Sequence, residues 1–239
     1  AVMYLFLDIE THAESEGIMI QLAYRAGKDG EYFDSLYSTW GTPIDLKAMA
    51  VHHIEEGDIA DKPTFEESGD KSMVEKLLFD EALTLVAHNV AFDADVLERH
   101  GVEVPNRICT LRLARYIFPE LEQHKLQYLR YYFGLTFKER PTAHDALGDV
   151  IVLEWVFWKL YEALEKKEWT TNEGELRDIM IDVSSRPSIL YMCKFGKHKG
   201  KLWSEVPQDY LKWIVHMSDF TDEDVIWTAK HYLKDCDWQ

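Results

Sequence analysis

Asp8 and Glu10 close the apolar run Tyr4-Leu5-Phe6-Leu7 and stand two positions apart. Such a run reads as a buried strand, and strand side chains alternate, so both carboxylates share one face at the strand's mouth. Like charges this close repel unless a cation sits between them, and hard divalent ions take oxygen ligands. The pair points to magnesium or manganese, but strands running into Asp-x-Glu are common, so it needs further residues to make a site. Asp93 follows Ala87-His88-Asn89-Val90-Ala91-Phe92 in the expected first turn of a helix, where the helix dipole alone also favours an acid. His144 and Asp149 are five residues apart. That spacing is about 140° around a helix, so the two converge only if His144 lies on the entering loop and Asp149 in an early turn. Thr142 or Asp145 would cap that helix.

The elements that must carry these residues alternate in type. After the first strand, 17–26 and 31–39 read as strands joined by the Gly27-Lys28-Asp29-Gly30 turn, a hairpin. A short helix over 43–51 leads to Val51-His52-His53-Ile54, read as a loop. A helix opening at Lys62-Pro63-Thr64-Phe65 is expected to reach Phe79, ahead of a buried strand over 84–87. The helix bearing Asp93 should end at Gly101, with a strand over 107–109 and a helix over 110–118 beyond it. Another helix bears Leu126, Leu129 and Phe133 and stops at Gly134, and 150–164 is long and amphipathic. A helix over 172–183 reads as a bridge, and strands over 189–195 and 201–203 flank Gly196–Gly200 as a second hairpin. Helices over 208–217 and 222–234 close the chain. The pattern predicts an α/β fold with a mixed central sheet flanked by helices and a small C-terminal α+β module. The expected divisions are 1–168, a linker helix over 169–190, and 191–239.

Composition narrows the class. With 46% hydrophobic and 13% aromatic residues in 239, the chain is globular, and charges interrupt every apolar run before membrane-spanning length. Met3 is expected to be the natural first residue, with no secretory leader ahead of it. Cys109, Cys193 and Cys236 are too few and scattered for a disulfide framework, which suits a reducing cytoplasm. A net charge of −17 opposes a nonspecific coat on nucleic acid, yet screening leaves room for localised basic clusters or bound metal to decide contact.

Taken in order, Asp8-x-Glu10, Asp93 after Ala-His-Asn, and His144-x4-Asp149 resemble the three motifs of the DEDDh 3′–5′ exonucleases, a family that includes polymerase proofreading subunits. Val51–Ile54 and Asp61-Lys62-Pro63-Thr64-Phe65 are similar to that family's Val-His-Gly-Ile and Asp-Lys-Pro segments. This resemblance spans roughly residues 3–165. Arg186-Pro187-Ser188, the Phe195–Lys201 segment and Lys230–Leu233 resemble the tail of a bacterial exodeoxyribonuclease branch, as do Ile108–Leu111 and Leu113–Arg115.

The resemblance implies an RNase H-like exonuclease domain that uses two Mg2+ ions, with Mn2+ able to substitute, to release nucleoside monophosphates from DNA 3′ ends in repair, in the bacterial cytoplasm. It implies that Asp8 touches both ions, Glu10 and Asp149 the nucleophile-side ion, and Asp93 the second. His144 would be the general base, a role suited to a side chain that titrates near neutrality. Thr11, His52, Ile54, Asn89 and Phe92 would contact the terminal nucleotide, and Lys197, Lys199 and Lys201 the strand. His88 is expected to buttress its loop, and Trp203 and Trp213 to fill the module's core. His12-Ala13 replaces the family's usual Thr-Gly or Cys-Gly, His53 replaces a glycine, and Glu14-Ser15 stand where relatives can carry an apolar wedge. Substrate choice is therefore open among single-stranded DNA, duplex ends and RNA. An RNA-trimming exonuclease is the sibling reading, and a non-catalytic module binding nucleic-acid ends is the reading from another class.

Overall fold

The computed structural model describes residues 2–139 and 141–234. Strands β1 (Tyr4–Thr11), β2 (Met19–Ala26) and β3 (Tyr32–Leu36) run as an antiparallel meander. Helices α1 (Leu46–His52), α2 (Glu56–Ile59) and α3 (Asp70–Phe79) follow. Strand β4 (Thr84–Ala87), helix α4 (Val90–Arg99) and strand β5 (Arg107–Cys109) then add two parallel strands, so the sheet order is β3-β2-β1-β4-β5. Helices α5 (Thr110–Ile117), α6 (Leu126–Tyr132), α7 (Ala146–Glu168) and α8 (Glu173–Ser185) complete the main body. Helices α9 (Gln208–His216) and α10 (Glu223–Tyr232) lie in the C-terminal part. Among the described residues no helix is long and apolar enough to cross a membrane.

Alternation along β1 divides the interior. Leu5, Leu7 and Ile9 pack with Leu77 and Leu78 of α3 and Ala94 and Leu97 of α4. Tyr4 and Phe6 face the other way, into a core shared with α5, α6, α7 and α8. Asp8 and Glu10 continue the parity of Tyr4 and Phe6, so they emerge on the α7 side of the sheet. Helix α7 is tied across the sheet by the buried Glu154, which accepts from Arg25 Nη1 of β2 at 2.8 Å and from the Tyr32 hydroxyl of β3 at 2.6 Å.

Several boundaries differ from expectation. The helix expected from Lys62 starts only at Asp70, because Thr64–Ser68 spend their hydrogen bonds on local turns. Helix α8 is not a free linker: Leu176, Met180 and Val183 are buried in the α7 core, and Ser184 Oγ accepts from the Cys109 amide at 2.7 Å. The second hairpin keeps its antiparallel sense, with Cys193 N–H to Lys201 O at 2.9 Å and Trp203 N–H to Tyr191 O at 3.0 Å. Its strands shrink to the single bridge Met192–Leu202, because a 3₁₀ turn over Gly196–His198 occupies the tip. The C-terminal part is accordingly helical around Cys193, Trp203, Leu211, Ile214, Val225 and Ala229.

Candidate active site

The site lies where β1 outruns β4. Pairing with β4 is recorded for Tyr4 to Phe6, which leaves the β4 side of β1 open further along. Asp93, 2% exposed in the first turn of α4, fills that gap by accepting from the Ile9 amide at 3.0 Å. Its carboxylate thereby reaches round the end of β4 to the strand that carries Asp8 and Glu10.

Asp149 arrives from α7. Asp145 caps that helix by accepting from the Gly148 amide at 3.1 Å, which puts Asp149 in the first turn. Gln21, a buried amide in the apolar stretch of β2, holds the cap. Its Nε2 donates to Asp145 and to Asp34, each at 3.0 Å, and its Oε1 accepts from the Ala146 amide at 3.2 Å. Gln127 of α6 donates to Asp149 Oδ1 at 3.1 Å, and Arg130 in turn donates to Gln127 Oε1 at 3.3 Å. The sequence reading assigned neither glutamine a role. A polar residue inside Met19-Ile20-Gln21-Leu22 is a signal that could have found the first; the second left none.

One carboxylate oxygen each from Asp8, Glu10 and Asp149 lies within 4.8 Å of the others. Burial first, and then Asp149, Asp93 and Asp145, push Glu10 up to about 8. Burial, followed by Asp93, Glu10 and Asp149, drives Asp8 well above the usual carboxylate range. Asp93 rises well above it through burial, against the Ile9 hydrogen bond that lowers it. Burial also raises Asp149, opposed by the His144 amide and the His144 charge. Half-buried carboxylates crowded in this way ionise readily only with positive charge among them, and an all-oxygen set fits a hard divalent cation. The residues present fit the group.

The remaining residues divide. His144 stands outside that triplet, on the loop before α7 at φ +60°, exposed, with its amide bonded to Asp149 Oδ2 at 3.1 Å. Gly148 makes the loop's crossing possible, since a Cβ there would meet the Thr142 carbonyl oxygen at 2.0 Å. Asn89 is exposed at φ +65°, and Phe92 is half-buried against the α3–α4 core. His52, Ile54 and Thr11 are turned into protein instead of outward. His52 is the last residue of α1, not a loop residue. Its Nδ1 accepts from the Ile54 amide at 3.0 Å, so Nε2 carries the proton and donates to the Thr11 carbonyl at 3.2 Å. Ile54 packs on Ile20, Ile44 and Ile59, and the buried Thr11 hydroxyl donates to Ala13 O at 2.7 Å. The side chains of these three support the end of β1. His12 closes the following loop, its Nδ1 accepting from the Ile18 amide at 2.7 Å. His88 does buttress: it meets Thr110 Oγ1 at 2.9 Å, and burial pushes its imidazole down to about 4. Trp203 is fully buried, whereas Trp213 is 42% exposed and is not core.

A mixed sheet flanked by helices, with a carboxylate cluster at one strand's mouth that fits a divalent cation, is the RNase H-like exonuclease fold. The Exonuclease family model matches residues 7–156, and the chain belongs to that family. It is a 3′–5′ exonuclease. It is 31% identical over 198 residues to exodeoxyribonuclease 10 of Escherichia coli K12, with 80% of each chain covered. A DNA polymerase III subunit epsilon-like protein of Rhodobacter capsulatus is 34% identical over 155 residues, covering 63% of this chain and 21% of that one. Among solved structures, exonuclease X in complex with 5′ overhanging duplex DNA is similar at a TM-score of 0.58 and 25% identity, across 76% of this chain and 99% of that one.

Proposed function

We propose that the chain is a 3′–5′ exodeoxyribonuclease that hydrolyses the terminal phosphodiester of a DNA strand and releases nucleoside 5′-monophosphates. The observation that carries this reading is the meeting of the Asp8, Glu10 and Asp149 oxygens within 4.8 Å, with Asp93 anchored beside them. The DNA preference is supported by the 31% identical relative and by the solved relative, whose bound nucleic acid is duplex DNA with a 5′ overhang. Single strands and overhanging duplex ends are both proposed substrates.

Asp8, Glu10, Asp93 and Asp149 are assigned as the ligands of two divalent ions, magnesium with manganese as a substitute. When bound, the ions polarise the phosphoryl oxygens and favour ionisation of the attacking water. The chain's own contribution is orientation and proton transfer. The Ile9 amide fixes the rotamer of Asp93, while Gln127 and the His144 amide hold the two oxygens of Asp149. His144, exposed at the mouth beside Asp149, accepts the proton as water adds to phosphorus. The bond to the 3′ oxygen of the penultimate nucleotide breaks, and that oxygen takes a proton from solvent water to become the new 3′-hydroxyl.

A 5′-labelled single strand, incubated with magnesium or with chelator, tests the reading. A descending ladder with magnesium, slowed by a 3′-phosphate and absent with chelator, is expected. Cutting of a closed circular single strand would overturn it, and faster digestion of the matching RNA would replace the substrate assignment.

A further inference from the structure

The tip of the C-terminal module gathers positive charge and exposed aromatic surface in a chain of net −17. Four lysines fall between residues 194 and 201, and no acid stands from Lys194 to Trp203. Lys194 turns away and donates to the Glu122 carbonyl of the main body. Lys197, Lys199 and Lys201 are exposed, and among the described residues no carboxylate lies within ion-pair distance of them. Burial, then Lys201 and Lys197, hold the His198 imidazole below its ordinary value against Asp209, so the charges of those two lysines both reach the ring between them.

The aromatic half of the patch adjoins that spot. Lys197 Nζ sits 5.3 Å from the centroid of the Tyr210 ring, and Tyr210 stacks on Trp213 at 5.4 Å and 27°. Phe220 meets Trp213 edge-on at 6.1 Å and 86°. Gly196, at φ +61°, lets the turn sit directly on Tyr210, since a Cβ there would lie 2.6 Å from the hydroxyl. Neighbours thus hold the Trp213 indole in place while leaving it 42% exposed, although Leu211 and Ile214 on the same helix are buried.

We propose that this patch is an accessory site for single-stranded DNA: Lys197, Lys199 and Lys201 take successive phosphates and Trp213 stacks on an unpaired base. This rests on the exodeoxyribonuclease reading, which supplies a substrate strand that continues beyond the nucleotide being cleaved. Charge complementarity selects the occupant. Net acidity repels any polyanion, so an unpaired basic island marks where one is tolerated. A stacking face beside it suits bases that are not paired, and stacking is indifferent to their sequence.

The test measures binding in chelator, where no strand is cut, using the full chain and fluorescent oligothymidylates four and twenty nucleotides long. The variants are Lys197→Gln/Lys199→Gln/Lys201→Gln, Trp213→Ala and Trp213→Phe, each checked for unchanged circular dichroism. Three lost phosphate contacts should flatten the slope of log affinity against log salt by about 2, at roughly 0.7 per contact, for the 20-mer. Trp213→Ala should weaken 20-mer binding roughly 5- to 100-fold, with Trp213→Phe intermediate. A 20-nucleotide abasic strand should keep the lysine effect and lose the tryptophan effect. An unchanged salt slope and affinity in the variants would overturn the site, as would an equal lysine effect on polyglutamate binding. Separately, failure of the wild-type chain to degrade the 4-mer with magnesium would overturn the exonuclease reading and leave these binding measurements standing.

Discussion

The backbone amide of His144 donates to a carboxylate oxygen of Asp149 at 3.1 Å, so the proposed general base and a proposed metal ligand are placed by one hydrogen bond. That bond uses the main chain of His144 and leaves its imidazole exposed. His144→Ala retains the amide. Turnover should therefore fall by about 10²–10⁴-fold while manganese affinity, measured by calorimetric titration, stays within a few fold. An equal loss of metal affinity would make His144 a support and not a base.

Asp8→Asn removes charge from the centre of the cluster while keeping the side chain's shape. Asp8 feels Asp93, Glu10 and Asp149 together, so it is the acid that a cation would compensate most. A rate loss of about a thousandfold or more is expected, together with weaker manganese binding. The metal-free variant should unfold at a higher temperature than the wild type at neutral pH, because folding no longer has to confine that charge or take up a proton to neutralise it. Near-normal digestion by the folded variant would remove Asp8 from the site.

Gly148→Ala tests how the His144 loop is held. The new methyl would meet the Thr142 carbonyl oxygen at 2.0 Å, so the loop must move off the first turn of α7. Alanine favours the helix by about 1 kcal/mol, which offsets part of the cost to stability. The expected result is a folded protein with turnover reduced at least tenfold, and with Asp149 retained on its helix. An unchanged rate would show that the loop's position does not govern the reaction.

How far the sequence shows the site depends on the range of each interaction. The shared face of Asp8 and Glu10 and the helix-start positions of Asp93 and Asp149 were legible because strand parity and helix starts are local properties. The grouping of the four acids as one ligand set came from the resemblance. His52 and Ile54 were not. Their loop appearance comes from lacking periodic neighbours, yet they bond or pack onto Thr11, Ile20 and Ile44, which are distant in sequence. Gln127 acts on Asp149 across 22 residues, a pairing that no local pattern records. Helix α8 was read as a linker although Leu176, Met180 and Val183 recur at core spacing, because polar neighbours masked that stripe. The second hairpin failed as strands because Gly196 and Gly200, at φ +61° and +90°, wind a tight turn that consumes its residues.

The carboxylate cluster also sets a pH dependence with a definite sign. Glu10 is pushed from its ordinary 4.5 up to about 8 by burial and by Asp149, Asp93 and Asp145, and Asp8 and Asp93 rise as well. Between those two values Glu10 holds its proton in the folded, metal-free chain and has lost it in the unfolded chain. Stability contributed by Glu10 is therefore fully present below about pH 4.5 and is lost as pH rises through about 8. Other groups titrate across the same window, so the difference between wild type and Glu10→Gln isolates the effect. In chelator, Glu10→Gln should unfold at nearly the wild-type temperature near pH 5. By pH 8 it should exceed the wild type by about 3 °C or more, given roughly 2–4 °C per kcal/mol for a chain of this size. Manganese should raise the wild-type midpoint most at pH 8, where the carboxylates ionise into its field, and should raise the variant's less. Parallel wild-type and variant curves from pH 5 to 8 would show that Glu10 does not share the charge of the cluster.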